Sequence, residues 1–237
     1  NFNLQKTHKA IKLTLDHKPI KNLYRSKTFS NLLVVDKENG RKADALNAGI
    51  NCSRYNHFCS IDADSILEKD SLLRSIRPFM ENPEKTIATG GIVRIANCCE
   101  IKAGEVTKIR LPETALPMFQ IIEYFRAFLA GRIAFDVINC LLIISGAFGL
   151  FRKDIVIKVG GYTHNTVGED MELVVKMHKY CLENKIPYRI DFTPDPVCWT
   201  EAPDTTTILG RQRSRWQRGT METLFKYRKM IFNPKYG

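Results

Sequence analysis

An α/β fold, with a mostly parallel sheet flanked by helices, is what this sequence predicts. Two observations carry that reading. Apolar runs at 31–36, 57–61 and 86–95 alternate with helical stretches at 41–52 and 69–80. In addition, 44% apolar residues in a chain of 237 supply a core for one large domain or two small ones.

The elements follow in order. The run N-L-L-V-V-D at 31–36 reads as a buried strand, and K-E-N-G after it is a turn that opens the helix at 41–52. H-F-C-S-I at 57–61 is a second short strand, and it runs straight into Asp62 and Asp64. The helix at 69–80 stops near Asn82-Pro83, and 86–95 is the third strand. Between 113 and 135, Phe119, Ile122, Phe125, Phe128 and Leu129 recur at helical spacing, which predicts a buried helix or, alternatively, a helix lying on a membrane surface. The apolar stretch 133–151 is broken by Asp136, Asn139, Ser145 and two glycines, so it is not a clean span of about 20 residues. A helix is expected at 169–184 with Leu173, Val174 and Met177 on one face, then short strands at 188–192 and 197–200. Asp204 is the expected cap of a last helix running to about residue 229. Residues 1–30 are basic and carry no clear pattern.

Composition narrows the function. A net charge of +11 favours an anionic partner: nucleic acid, an anionic membrane face or a phosphorylated substrate. The charge is scattered, without the aromatic-basic interleaving of a nucleic-acid binder, so a metal-dependent nuclease is the weaker reading and no nucleic-acid partner is expected. Seven cysteines without a C-x-x-C pair exclude a zinc ribbon or disulfide framework and predict buried thiols in a reducing compartment. Neither G-x-x-x-x-G-K-[ST] nor G-x-G-x-x-G occurs, which sets aside P-loop and dinucleotide enzymes.

Three constellations remain. Asp62 and Asp64 leave a strand end side by side; like charges so close repel unless a cation sits between them, and Mg2+ or Mn2+ prefers such oxygen ligands. The plain alternative is a solvated turn. In Gly168-Glu169-Asp170, at the mouth of a helix, the functional reading makes Asp170 a general base with Glu169 beside it, and the structural one lets the helix terminus attract the carboxylates. Gln212, Arg215 and Trp216 share one helical face, and an amide, a guanidinium and an indole suit phosphate and sugar better than a core.

K-A-D-A-L-N-A-G (42–49), D-A-D (62–64), S-G-A-F-G-L-F-R-K-D (145–154), G-E-D (168–170) and Q-R-S-R-W (212–216) occur in that order. Together they resemble the family 2 glycosyltransferases, in particular the membrane-bound synthases of cellulose, chitin, hyaluronan and poly-N-acetylglucosamine. The resemblance covers about residues 31–220 and implies a GT-A fold. It implies that Asp64 and Asp62 hold the metal, that Lys42, Asp44 and Asp62 lie near the nucleotide, and that Asp170 is the base. It further implies that Ser145 and Gly146 form an acceptor-side loop and that Gln212, Arg215 and Trp216 border diphosphate and acceptor. The implied reaction is metal-dependent inverting transfer from a UDP-linked sugar to a glycan or glycolipid acceptor; the alternative is a non-catalytic carbohydrate- or nucleotide-binding module of the same fold. The family's opening V-I-I-P-A-Y-N-E and D-D-G-S strands do not occur, and the transmembrane helices expected after Q-x-x-R-W are absent from the sequence. The expectation is therefore one soluble catalytic domain, truncated at both ends, from a protein at the cytoplasmic membrane face. Membrane contact is expected through absent C-terminal helices and through residues 113–140.

Overall fold

The computed structural model describes residues 2–8 and 10–236, except the side chain of Pro196. Strands β1 (Leu4–Lys6), β2 (Ile20–Ser26) and β3 (Leu33–Lys37) form an antiparallel sheet of their own. The segment left unassigned in the sequence thus pairs with the first expected strand and keeps it out of the main sheet. Every residue of β3 is only half-buried, because a three-stranded ribbon has no second layer over both faces.

After α1 (Arg41–Cys52) the main sheet begins with β4 (His57–Ile61) and β5 (Ile66–Leu67). Then come α2 (Ser71–Glu81), β6 (Thr86–Ile95) and the hairpin β7 (Glu100–Lys102) and β8 (Glu105–Lys108). Helix α3 (Ala115–Phe125) continues through a π-helical turn, Arg126–Arg132, into α4 (Ile133–Val137). The chain ends with β9 (Phe148–Arg152), α5 (Lys153–Lys158), α6 (Glu169–Glu183), β10 (Arg189–Thr200) and α7 (Thr206–Lys226).

The five-stranded sheet has the order β4-β9-β6-β10-β5. Only β6 and β10 run parallel; the other pairings are antiparallel. The α/β class is as expected, but the sheet is mixed. The reason is β9, which inserts from late in the chain between two strands that its own sequence neighbours do not include. β6 lies between β9 and β10, so both its edges are paired, and α2 and α3 pack against it, which leaves nearly all its residues buried.

Three other expectations are corrected. The two short strands at 188–192 and 197–200 are one strand, β10, whose register shifts around Thr193 and Pro196; Pro194 and Pro196 cannot donate to a ladder, and the strand absorbs them as bulges. The cap of α7 is Thr205, whose Oγ1 accepts the Ile208 amide, not Asp204. The cysteines are not uniformly buried: Cys181 and Cys198 are, whereas Cys98 and Cys140 are exposed.

Phe148 and Leu150 of β9, Ile87 and Ala88 of β6, Ile190 and Val197 of β10, and Leu173, Val174 and Met177 of α6 fill the interior. Of the five apolar residues expected to bury the helix at 113–135, only Phe128 is inside; Phe119, Ile122, Phe125 and Leu129 are 67%, 60%, 48% and 42% exposed. Polar Gln120 faces inward instead, donating to the Pro203 carbonyl at 2.7 Å.

Candidate active site

β4 and β9 pair antiparallel with Ile61 opposite Phe148. Asp62, the residue past the end of β4, therefore falls beside Gly146, two residues before β9 begins. Lys42, in the first turn of α1, enters from a third direction and forms an ion pair with Asp62. Its Nζ also donates to the Gly146 carbonyl at 3.4 Å and lies 3.8 Å from Glu169 Oε1. Asp170 closes the ring: Oδ2 accepts the Gly146 amide at 3.2 Å and Oδ1 accepts the Met171 amide at 2.9 Å.

Gly146 is the meeting point. A Cβ there would lie 2.6 Å from Lys42 Nζ, 3.5 Å from Asp170 Oδ2 and 3.6 Å from Asp62 Oδ2. An added methyl there would make Lys42 Nζ, the far end of a flexible side chain, shift aside, while the two carboxylates stand at ordinary contact distance, so the three charged groups crowd this stretch of backbone. Ser145 beside it is half-buried, its Oγ accepting the Ala147 amide at 3.4 Å.

Glu169 and Asp170 begin α6, where the helix dipole favours acids. Burial pushes the Glu169 carboxyl above its ordinary range, and the neighbouring Asp170 charge adds to that, opposed by a backbone hydrogen bond and by the Lys42 and Arg215 charges. Arg215 thus reaches this cluster electrostatically while its side chain is exposed on α7. Along the same helix Gln212 is half-buried, and its Oε1 is a buried acceptor without a donor. Trp216 is 41% exposed, its indole lying 4.3 Å beneath the Arg213 guanidinium, which in turn pairs with Glu123 of α3. Val167, Arg211, Ser214, Arg215 and Arg218 line a groove of about 420 Å3 here.

Asp64 is exposed in the turn closed by Ser65 N to Asp62 O at 3.1 Å. Among the described residues no three or more His, Cys, Asp or Glu side chains are grouped to hold a metal by themselves. Two accessible carboxylates at one turn instead suit a hard cation that draws its remaining ligands from phosphate oxygens and water.

Asp44 stands apart from this cluster. It is 1% exposed, ion-paired with Lys37, and accepts the Lys18 amide at 2.8 Å, with His164 Nδ1 3.6 Å away. Burial raises its carboxyl, but hydrogen bonds from Lys37 and Lys18 and the Lys37 and His164 charges bring it below its ordinary value. It borders a separate cavity of about 560 Å3 with Asp16, His17, Lys18, Arg41 and His164.

One nearby residue was passed over in the sequence. The Arg132 guanidinium sits 3.8 Å from the Phe128 ring centroid, Nη1 is buried without an acceptor, and burial lowers its pKa to about 10, with the Asp170 charge opposing. The available signal was an arginine set within the apolar run at 127–135.

Among curated proteins, the chain is 30% identical over 205 residues to the poly-beta-1,6-N-acetyl-D-glucosamine synthase of Staphylococcus aureus (strain COL), covering 86% of this chain and 45% of that protein. The protein of the same description from Staphylococcus epidermidis is 29% identical over the same length and coverage. The chain thus spans about half the length of these relatives. Among solved structures, a mannosyltransferase from Pyrobaculum calidifontis in complex with GDP-Man and Mn2+ matches with a TM-score of 0.52 at 16% identity, covering 80% of this chain and 45% of that one. At that identity the likeness is one of fold, a GT-A glycosyltransferase fold. The family described as Glycosyl transferase family group 2 matches residues 57–235, a stretch that contains β4 with its two aspartates, the Gly146 loop, the acids of α6 and the arginine-tryptophan face of α7, and the chain belongs to that family.

Proposed function

We propose that this chain is the catalytic region of an inverting glycosyltransferase that moves a sugar from a nucleotide-sugar, UDP-linked, to a growing glycan or glycolipid. The observation that carries the reading is the convergence of Lys42, Asp62 and Asp170 on the Gly146 backbone. A cation, one carboxylate of the proposed metal pair and the proposed proton acceptor thus stand around a single point.

Asp62 and Asp64 would hold Mg2+ or Mn2+, which supplies positive charge to the leaving diphosphate when bound. The mannosyltransferase solved with Mn2+ supports this use of the fold. Lys42 and Arg215 add fixed positive charge for the same phosphates. The Asp170 carboxylate is oriented by two amide donors, Gly146 N and Met171 N, which keeps it aimed as an acceptor for the hydroxyl proton of the incoming alcohol. A base on the opposite side of the sugar from the leaving group gives single displacement with inversion. Trp216 offers an exposed indole face to the acceptor sugar.

The exposed apolar row Phe119, Ile122, Phe125 and Leu129 supports a second element of the reading, contact with the membrane interface through α3. Among the described residues no helix is long and apolar enough to cross a membrane.

The test is nucleotide release by the full-length protein with Mn2+ and a panel of UDP-sugars and GDP-mannose. Release from one UDP-sugar, abolished by Asp170→Asn, is expected; no release from any donor, or release indifferent to that substitution, rejects the proposal. Cosedimentation with anionic vesicles, weakened by Ile122→Asp, tests the membrane contact separately, and binding unaffected by that change rejects it.

A further inference from the structure

Helices α6 and α7 carry the two halves of the proposed chemistry, and they touch backbone to backbone. A Cβ on Gly219 of α7 would lie 2.7 Å from Gly168 Cα and 2.8 Å from Gly168 N. A Cβ on Gly168 would lie 2.9 Å from Gly219 Cα. At those separations the obstacle is main chain, which cannot rotate aside. Gly219 is three residues after Trp216 and four after Arg215, so all three lie on neighbouring positions of one helical face. Gly168 caps α6 and accepts the Glu172 amide at 2.9 Å, directly before Glu169 and Asp170.

A second contact locks the same junction. Glu222, one turn beyond Gly219, accepts the Thr166 hydroxyl at 3.1 Å and the Val167 amide at 3.2 Å through Oε2. Its Oε1 accepts Arg218 Nε at 2.8 Å. Glu222 therefore satisfies an amide donor in the loop that leads into α6 and binds that loop to α7.

We propose that the Gly168–Gly219 contact and the Glu222 clamp are positioning elements that set the distance between the base Asp170 and the Arg215–Trp216 face. The inference rests on the glycosyl-transfer reading and deepens it: these residues touch neither substrate nor metal but fix how far the proton acceptor stands from the phosphate- and sugar-facing groups. An added methyl at position 219 separates the helices by about the overlap it creates, on the order of 1 Å, and a displacement of that size can cost about 100-fold in rate. Ground-state donor binding rests on Lys42 and Asp62, which belong to α1 and the β4 end and stay in place, whereas Arg215 on α7 meets the charge that the diphosphate gains as the bond breaks, a contribution read in kcat.

The experiment is steady-state kinetics of the full-length protein, per folded enzyme, for Gly219→Ala, Glu222→Ala and Glu222→Gln. Gly49→Ala is the control, a helix glycine with nothing within 4 Å of the added Cβ. Expected are a kcat lowered roughly 100-fold in Gly219→Ala with the donor KM unchanged, a smaller kcat loss in Glu222→Ala, recovery in Glu222→Gln, which keeps an oxygen acceptor for Val167, and no change in the control. A kcat per folded enzyme equal to wild type in both Gly219→Ala and Glu222→Ala overturns the inference, even if those variants melt earlier. So does a raised KM at unchanged kcat. Wild type that turns over no donor rejects glycosyl transfer itself and this inference with it, a result distinguishable because it needs no variant.

Discussion

Replacing Glu172 removes the most deeply buried charge at the junction of α6 and α7. Its side chain is 1% exposed and accepts Lys226 Nζ and Tyr227 OH, each at 2.6 Å, with Lys176 Nζ 3.5 Å away. Burial by itself raises the carboxyl, but the Lys176 charge and the Lys226, Tyr227 and Thr163 hydrogen bonds outweigh it and hold Glu172 below its ordinary value of 4.5. In Glu172→Ala, Lys176, 17% exposed, keeps only the Gly161 carbonyl and the Thr163 hydroxyl. Breaking a buried pair in this way costs roughly 3–5 kcal/mol. At about 2–4 °C per kcal/mol for a chain of this size, Tm falls by roughly 6–20 °C. Glu172→Gln keeps an acceptor and loses the charge, so about 1.5–3 kcal/mol is expected. The sign with pH follows from the lowered folded value: the stabilisation is fully present above 4.5 and is lost as pH falls through the folded value. Urea denaturation at pH 7 and at successively lower pH is the assay, with the gap between wild type and Glu172→Gln narrowing in acid. A Glu172→Ala cost under about 1 kcal/mol at pH 7, the range of an exposed pair, refutes the reasoning. So does a gap independent of pH.

Three other outcomes follow from the structure. Lys42→Ala removes the partner of Asp62 and Gly146, and a charge-assisted contact of about 1.5–3 kcal/mol corresponds to roughly a 10- to 150-fold weaker donor interaction, read as donor KM. Gly49→Ala, in open space on α1, stabilises the chain by about 1 kcal/mol through helix propensity, measured as a higher urea midpoint. A thiol reagent at pH 8 labels Cys98 and Cys140 quickly, whereas Cys181 and Cys198, pushed by burial to about 11 and about 12, react only on unfolding; peptide mapping after timed quenching distinguishes them.

The individual motifs were legible because each depends on neighbours in sequence. Asp62 had to follow a strand end, since an apolar run cannot continue through two aspartates. Glu169 and Asp170 had to begin a helix, where the terminus favours acids. Gln212, Arg215 and Trp216 had to share a face, because helical spacing requires it. Burial of the helix at 113–135 was misjudged for the complementary reason: periodicity reports that a face is apolar, not that anything covers it. The family resemblance put Asp44 beside Lys42 near the nucleotide, yet two residues along a helix turn a side chain to another side, here towards Lys37 and Lys18.

What the sequence determined by itself was the set of chemical groups, the local element that carries each, and the family to which they belong. Tertiary structure alone decided which groups meet. The antiparallel pairing of β4 with β9 brings Asp62 to Gly146 across more than eighty residues of chain, and the Gly168–Gly219 contact sets α6 against α7. Those distances depend on strand order and backbone approach, which are properties of packing between segments and leave no periodic trace in any one of them.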